Sequence, residues 1–199
     1  MTLSTYHQKH ADRPEVEIAP RIAAKKAELV HVLDVLGNSF KPPVRIAVLG
    51  CASKQIAFGH IQIFGELFGA SVDVITFDIT TEHLLGVPNV IKHDCTLPLP
   101  GAPFDITYGH VLLKFMPPEK QWQLLLNSYN ALKPGGIAIH IMDKNGKVRP
   151  TVMMQEGTVD VPLDEHIVKL TQAGIGYKII DIKVGPNQQG NGTCLVLIK

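Results

Sequence analysis

Five segments of the chain put small, acidic or imidazole groups directly after a short apolar run: Gly50-Cys51-Ala52-Ser53, Asp78, Asp94-Cys95, Gly109-His110 and Met142-Asp143. A turn of small residues lets backbone approach a ligand, and the helix that follows points its first N–H groups outward. A carboxylate ending a strand, as at Asp78, can accept hydrogen bonds from both hydroxyls of a ribose. Asp94 is placed to accept from an exocyclic amine such as that of adenine; its structural alternative is a turn-former before a proline loop. His110, with an ordinary pKa near ~6.5, suits proton transfer at neutral pH and is the candidate general base; the alternative is a ring that packs or hydrogen-bonds in the core. His60 and His140, in mid-helix and mid-strand, are read as structural, and Cys194 as a small buried hydrophobe.

The elements that must position these groups follow from periodicity. Val44 to Leu49 is apolar and β-branched, which predicts a strand buried on both faces. Val72 to Phe77, Val90 to Lys92, Phe104 to Tyr108 and Ile137 to Met142 are four more strands, and Tyr177 to Val184 with Thr193 to Ile198 close the chain as an antiparallel hairpin. Between them, helical spacing runs over Ile22, Lys26, Leu29, Leu33 and Leu36, stopped by Gly37. A second helix carries Ile56, His60, Ile63, Phe64, Leu67 and Phe68. A third starts at Pro117-Pro118 and carries Trp122, Leu125, Leu126, Tyr129 and Leu132, with Lys133-Pro134-Gly135-Gly136 as its stop. The fourth covers Leu163 to Ala173. Strand and helix alternating in this way predict a parallel sheet with helices on both faces. Ligands of such sheets bind at the carboxyl ends of the strands, where the five segments fall.

Composition narrows the class. The 199 residues are 45% hydrophobic and carry a formal net charge of +1, so nothing suggests a nucleic-acid or membrane surface held by bulk charge. The first residues are polar, and no apolar run approaches the ~18 residues of a membrane span, so a cytoplasmic protein is expected. Three scattered cysteines make neither a disulfide framework nor a zinc site. Residues 1–40 are read as a tail and a helix packed on the core, and residues 41–199 as one domain.

The run IKHDCTLPLPGAPFDITYGHVL, followed by NALKPGGIAIHI, resembles class I S-adenosylmethionine-dependent methyltransferases. In them an acidic-x-x-x-Leu-Pro motif precedes Phe-Asp and the fourth strand, and Leu-Lys-Pro-Gly-Gly precedes the fifth. The resemblance implies an α/β three-layer sandwich, Rossmann-like, with a seven-stranded sheet of order 3-2-1-4-5-7-6 and an antiparallel last strand. It implies that Gly50, Cys51, Ala52 and Ser53 hold the amino-acid part of S-adenosylmethionine, Asp78 its ribose, and Asp94 with Cys95 its adenine, with Ile79 as a further cofactor-binding residue. His110 borders the same pocket, and no metal is involved. Substrate, expected to be a small molecule and less readily a protein, would approach over Gly109, His110 and the segment 143–162. An Asp/Asn-Pro-Pro-aromatic tetrad, used on DNA amino groups, is replaced by Tyr108-Gly109-His110-Val111.

The first loop departs from the family's acidic-x-Gly-x-Gly-x-Gly, since Val48, Ala52 and Lys54 stand at three of those positions. Gly50 and Asp78 are also 28 residues apart, against ~20 in dinucleotide-binding turns. These departures motivate a second expectation, a non-catalytic relative that keeps the fold as a binding or regulatory module. A nicotinamide-dependent oxidoreductase ranks last, because Gly-x-Gly-x-x-Gly fails here at Ala52 and Gln55.

Overall fold

The computed structural model describes residues 14–37, 39–143 and 159–199. The expected tail, up to residue 13, and residues 144–158 of the expected variable segment lie outside them. In chain order the elements are α1 (Glu15–Leu36), β1 (Arg45–Leu49), α2 (Lys54–Phe68), β2 (Asp73–Asp78), β3 (Val90–Lys92), β4 (Phe104–His110), α3 (Pro118–Asn130), β5 (Leu132–Asp143), α4 (Leu163–Gln172), β6 (Gly176–Val184) and β7 (Gly190–Ile198). Short 3-10 turns cover Glu82–Leu84 and Leu112–Phe115.

All seven strands form one sheet in the order β3-β2-β1-β4-β5-β7-β6. The first five pair in parallel, and β7 runs antiparallel to both β5 and β6. Alternation along β1 divides the core. Ile46 and Val48 meet Leu29 and Val32 of α1 and Ile63 and Phe64 of α2 on one face. Ala47 and Leu49 meet Leu124 and Leu125 of α3, with Leu170 of α4, on the other. A strand between two helical layers must be apolar throughout, which is what VRIAVL supplies. Helices on both faces and the reversed last strand are as expected.

Three boundaries differ from the sequence reading. The first helix starts at Glu15 and takes in Pro20, where a missing N–H costs one hydrogen bond near the helix start. Of its expected stripe, Leu29 is core and Ile22, Leu33 and Leu36 pack against it, with Lys26 as the exception. Ile18, Ala24, Glu28, Leu29 and Val32 are buried, whereas Lys26 faces outward and pairs with Glu66 at 2.7 Å. In addition, α3 ends at Asn130, and Leu132 already pairs with Phe104 in the sheet. Lys133 to Gly136 is therefore part of β5, at a register shift, and not a helix stop. Gly135, at φ +80, donates to the Lys199 carbonyl at 2.7 Å, and Gly136 accepts from the Lys199 amide at 3.1 Å. Proline and glycine are tolerated in a strand at such an irregularity.

Candidate functional site

The turn after β1 is held from three sides. Gly50 adopts φ +72 and donates to the Phe77 carbonyl at 2.7 Å, extending the pairing of β1 with β2 by one residue. The Cys51 amide donates to Asp78 Oδ2 at 2.8 Å, and the Cys51 carbonyl lies 2.8 Å from His83 Nε2. Ser53 caps α2, its hydroxyl accepting from the Ile56 amide at 3.4 Å. A Cβ at Gly50 would lie 2.9 Å from Leu112 Cδ1, so its bareness also accommodates the chain's own side chain.

Asp78 sits at the end of β2 and is almost fully buried. Its other oxygen accepts from the Thr80 amide at 3.0 Å. A carboxylate offers about four acceptor positions, so two remain after these amides. The Thr80 hydroxyl is buried with no partner among the described residues. Ile79, next to Asp78, is 61% exposed, an apolar side chain standing free at the strand end. Asp94 folds back on its own turn, taking the Thr96 amide at 2.9 Å and the Thr96 hydroxyl at 2.7 Å. Burial opposes its charge, but these two bonds win and hold its carboxyl below the usual range. Cys95 packs into the α3 side of the core. Burial pushes the thiols of Cys51 and Cys95 up to about 12, which excludes both as thiolate nucleophiles at neutral pH.

His110 ends β4, and its Nε2 lies 2.9 Å from Oε2 of Glu28 on α1. Beside a carboxylate, Nε2 is the nitrogen that carries a proton. Val111, directly after it, has φ +62, a left-handed conformation that a β-branched residue adopts at a cost of about 1–3 kcal/mol. Its amide donates to the Ile141 carbonyl at 2.7 Å, which fixes the strained turn to β5. Behind His110, the ring of Tyr108 lies 6.3 Å away and that of His60 lies 5.4 Å from Tyr108. Burial drives His60 well toward the neutral form. Neither of its ring nitrogens has a partner among the described residues, nor does the Tyr108 hydroxyl. His140 is held in the core as expected, its Nε2 2.8 Å from the Ser128 hydroxyl.

These groups surround a cleft of about 180 Å³. One wall is Gly50 to Ser53, Ile56 and His60; the end is His110 and Val111; the facing wall is Ile18, Arg21, Ala24, Lys25 and Glu28 of α1, with Gly185 and Pro186 at its rim. Of the residues expected from the sequence, the cleft unites Gly50, Cys51, Ala52, Ser53 and His110. Asp78 joins through its bond to the Cys51 amide, while Ile79, Asp94 and Cys95 lie outside the lining. Arg21, Lys25 and Glu28 went unread, because charged residues on an amphipathic helix are ordinarily its solvated face. The signal available was their spacing, which puts them on one side of α1.

The three unusual loop positions have ordinary places. Val48 is core, and Ala52 lines the cleft. Lys54 is exposed at the first turn of α2, with Nζ 6.0 Å from the Phe58 ring centroid. Among the described residues there is no cluster of metal-binding side chains and no helix long and apolar enough to cross a membrane.

No protein-family model and no curated protein matches the chain. Solved structures do match. The N-methyltransferase NodS from Bradyrhizobium japonicum WM9, in complex with S-adenosyl-L-homocysteine, superimposes with a TM-score of 0.65 at 12% identity over 99% of both chains. A S-adenosylmethionine-dependent methyltransferase from Aquifex aeolicus gives 0.60 at 17% identity over the whole of both. The [4+2]-cyclase SpnF gives 0.59 at 14% identity over 87% of this chain and 81% of the other. The fold is thus the seven-stranded methyltransferase-like α/β fold.

Proposed function

We propose that the chain is a S-adenosylmethionine-dependent methyltransferase acting on a small molecule. The observation that carries this reading is the cleft itself. Buried polar groups without partners, Arg21 Nε and both nitrogens of His60, converge beside a strand-end turn that is braced by a buried carboxylate. Orphaned polar atoms in a protein interior are costly, and a polar ligand relieves them. Solved structures of this fold bind the same cofactor or its product form, as in NodS.

The residues present fit the cofactor. Gly50, Cys51, Ala52 and Ser53 would face its amino-acid end. Asp78, with two acceptor positions left, would take its ribose, Ile79 would cover an adenine face, and Asp94 with Cys95 would border that ring. Bound there, S-adenosylmethionine supplies a methyl group on a positively charged sulfur, which is electrophilic without further activation. What the chain adds is alignment and exclusion of water, worth several orders of magnitude in rate. His110 would serve as the base for the acceptor's proton, and Glu28, 2.9 Å from its Nε2, would stabilise the imidazolium. Calorimetry with S-adenosylmethionine and S-adenosylhomocysteine tests the reading. Micromolar binding is expected; no heat at millimolar ligand overturns it.

A further inference from the structure

Every charge lining the cleft that comes from a helix comes from α1. Arg21, Lys25 and Glu28 are spaced by four and three residues, so they share one side of the helix. Glu28 is occupied by His110, and its residue is 2% exposed. The two cations are not matched in this way. Arg21 Nε is buried without a partner, and Lys25 holds no hydrogen bond or ion pair among the described residues. Two cations at the wall of a small cleft repel each other, and burial brings the Lys25 ammonium down to about 8, opposed by the nearby Glu28 carboxylate and aided by Arg21. Across from them, His60 offers two unsatisfied ring nitrogens in a site where a charged donor would otherwise face an apolar wall. Two cations thus share a single carboxylate, Glu28, which His110 already engages.

We propose that the acceptor is a small carboxylic acid whose carboxylate is held by Arg21 and Lys25 on α1. The proposal rests on the methyltransferase reading for the word acceptor. It does not need that reading for the anion site. A carboxylate on the α1 wall directs the rest of that molecule across the cleft, toward His110 and the turn after β1. Arg21 supplies a planar fork of donors and Lys25 a compact second charge, a pairing suited to one carboxylate.

The test follows the backbone amide resonances of α1 in the ligand-free protein during titration with acetate, acetamide or inorganic phosphate. Saturable shifts with acetate and none with acetamide are expected. Lys25→Met and Arg21→Gln should each weaken acetate about tenfold, the loss of one charge-assisted bond, with melting temperatures near that of the parent. If Arg21→Gln does not fold, Lys25→Met decides. Equal response to acetate and acetamide, or full acetate affinity in the folded variants, overturns the site. Phosphate binding about tenfold tighter than acetate overturns the carboxylate assignment. Repeating the titration with saturating S-adenosylhomocysteine separates the two sources of a carboxylate. Unchanged acetate affinity supports an acceptor acid, whereas displacement assigns the cations to the cofactor's own amino-acid end and overturns the proposal. Absence of S-adenosylhomocysteine binding defeats the methyltransferase reading, while the acetate titration still stands or falls by itself.

Discussion

The Cys51 amide donates to the Asp78 carboxylate at 2.8 Å, tying the turn after β1 to the end of β2 across 27 positions of sequence. The same carboxylate takes the Thr80 amide, so one buried group fixes two turns. Asp78→Asn keeps the shape but removes the charge and offers an amide N–H to one of two donors. Loss of about 1–3 kcal/mol is expected on urea denaturation, the cost of a buried donor left unmatched. S-adenosylhomocysteine affinity should fall at least about tenfold by calorimetry. A variant that binds like the parent would detach Asp78 from the ligand site.

Glu28 and His110 make a testable pair. A carboxylate accepts from the imidazole N–H more strongly than a neutral amide does. Glu28→Gln should therefore loosen the ring, seen by NMR as moved His110 ring-proton resonances, while cofactor-product affinity changes little. Unmoved resonances would show that Glu28 does not hold the imidazole.

Gly50 is constrained twice, by φ +72 and by Leu112. Gly50→Ala should destabilise by more than the ~1 kcal/mol ordinarily attached to a left-handed alanine, because Leu112 must also shift. Adding Leu112→Ala should show favourable coupling, with the double variant less unstable than the sum of the two single ones. Strict additivity in thermal melts would remove the contact from the explanation.

Lys54 provides a control. Its side chain runs outward over Phe58, so Lys54→Gly changes the helix start and leaves the cleft intact. Stability should drop by about 1 kcal/mol and S-adenosylhomocysteine affinity should hold within about threefold. Binding that appears only in the glycine variant would instead support the non-catalytic reading.

Stability should fall in acid. Burial holds His140 at about 3 and His60 well below ~6.5, their ordinary value, so the unfolded chain binds more protons between those values. The stabilisation is complete above pH ~6.5 and is lost as pH falls through ~6.5 toward the folded values. Each histidine contributes a slope of about 1.4 kcal/mol per pH unit. Urea midpoints between pH 7 and 5 should show it, and His140→Gln should flatten the curve.

The sheet was legible because its strands are short apolar runs cut off by Gly, Asp or His. The order of those runs carried the strand order through the family resemblance. Two kinds of feature were not legible. Leu132 reads locally as the end of a helix and Lys133 to Gly136 as its stop, yet pairing with Phe104 on one side and Lys199 on the other draws them into β5. Local propensity gave way to a ladder formed with the far end of the chain. The α1 wall failed for the opposite reason, since Arg21, Lys25 and Glu28 obey the rule for a solvated face while lying against a cleft. Burial of Glu28 depends on His110, which lies 82 residues away, and no local pattern encodes that.

The facing wall of the cleft has a consequence for how such a site can change. The loop wall belongs to the sheet, and altering it disturbs the braces that hold β1 to β2. The α1 wall is carried by one helix of 22 residues that contributes no strand to the sheet. Exchanging Arg21 and Lys25 there would alter what the cleft attracts while the sheet stays as it is, whereas Glu28 on the same helix is bound to His110 at the end of β4.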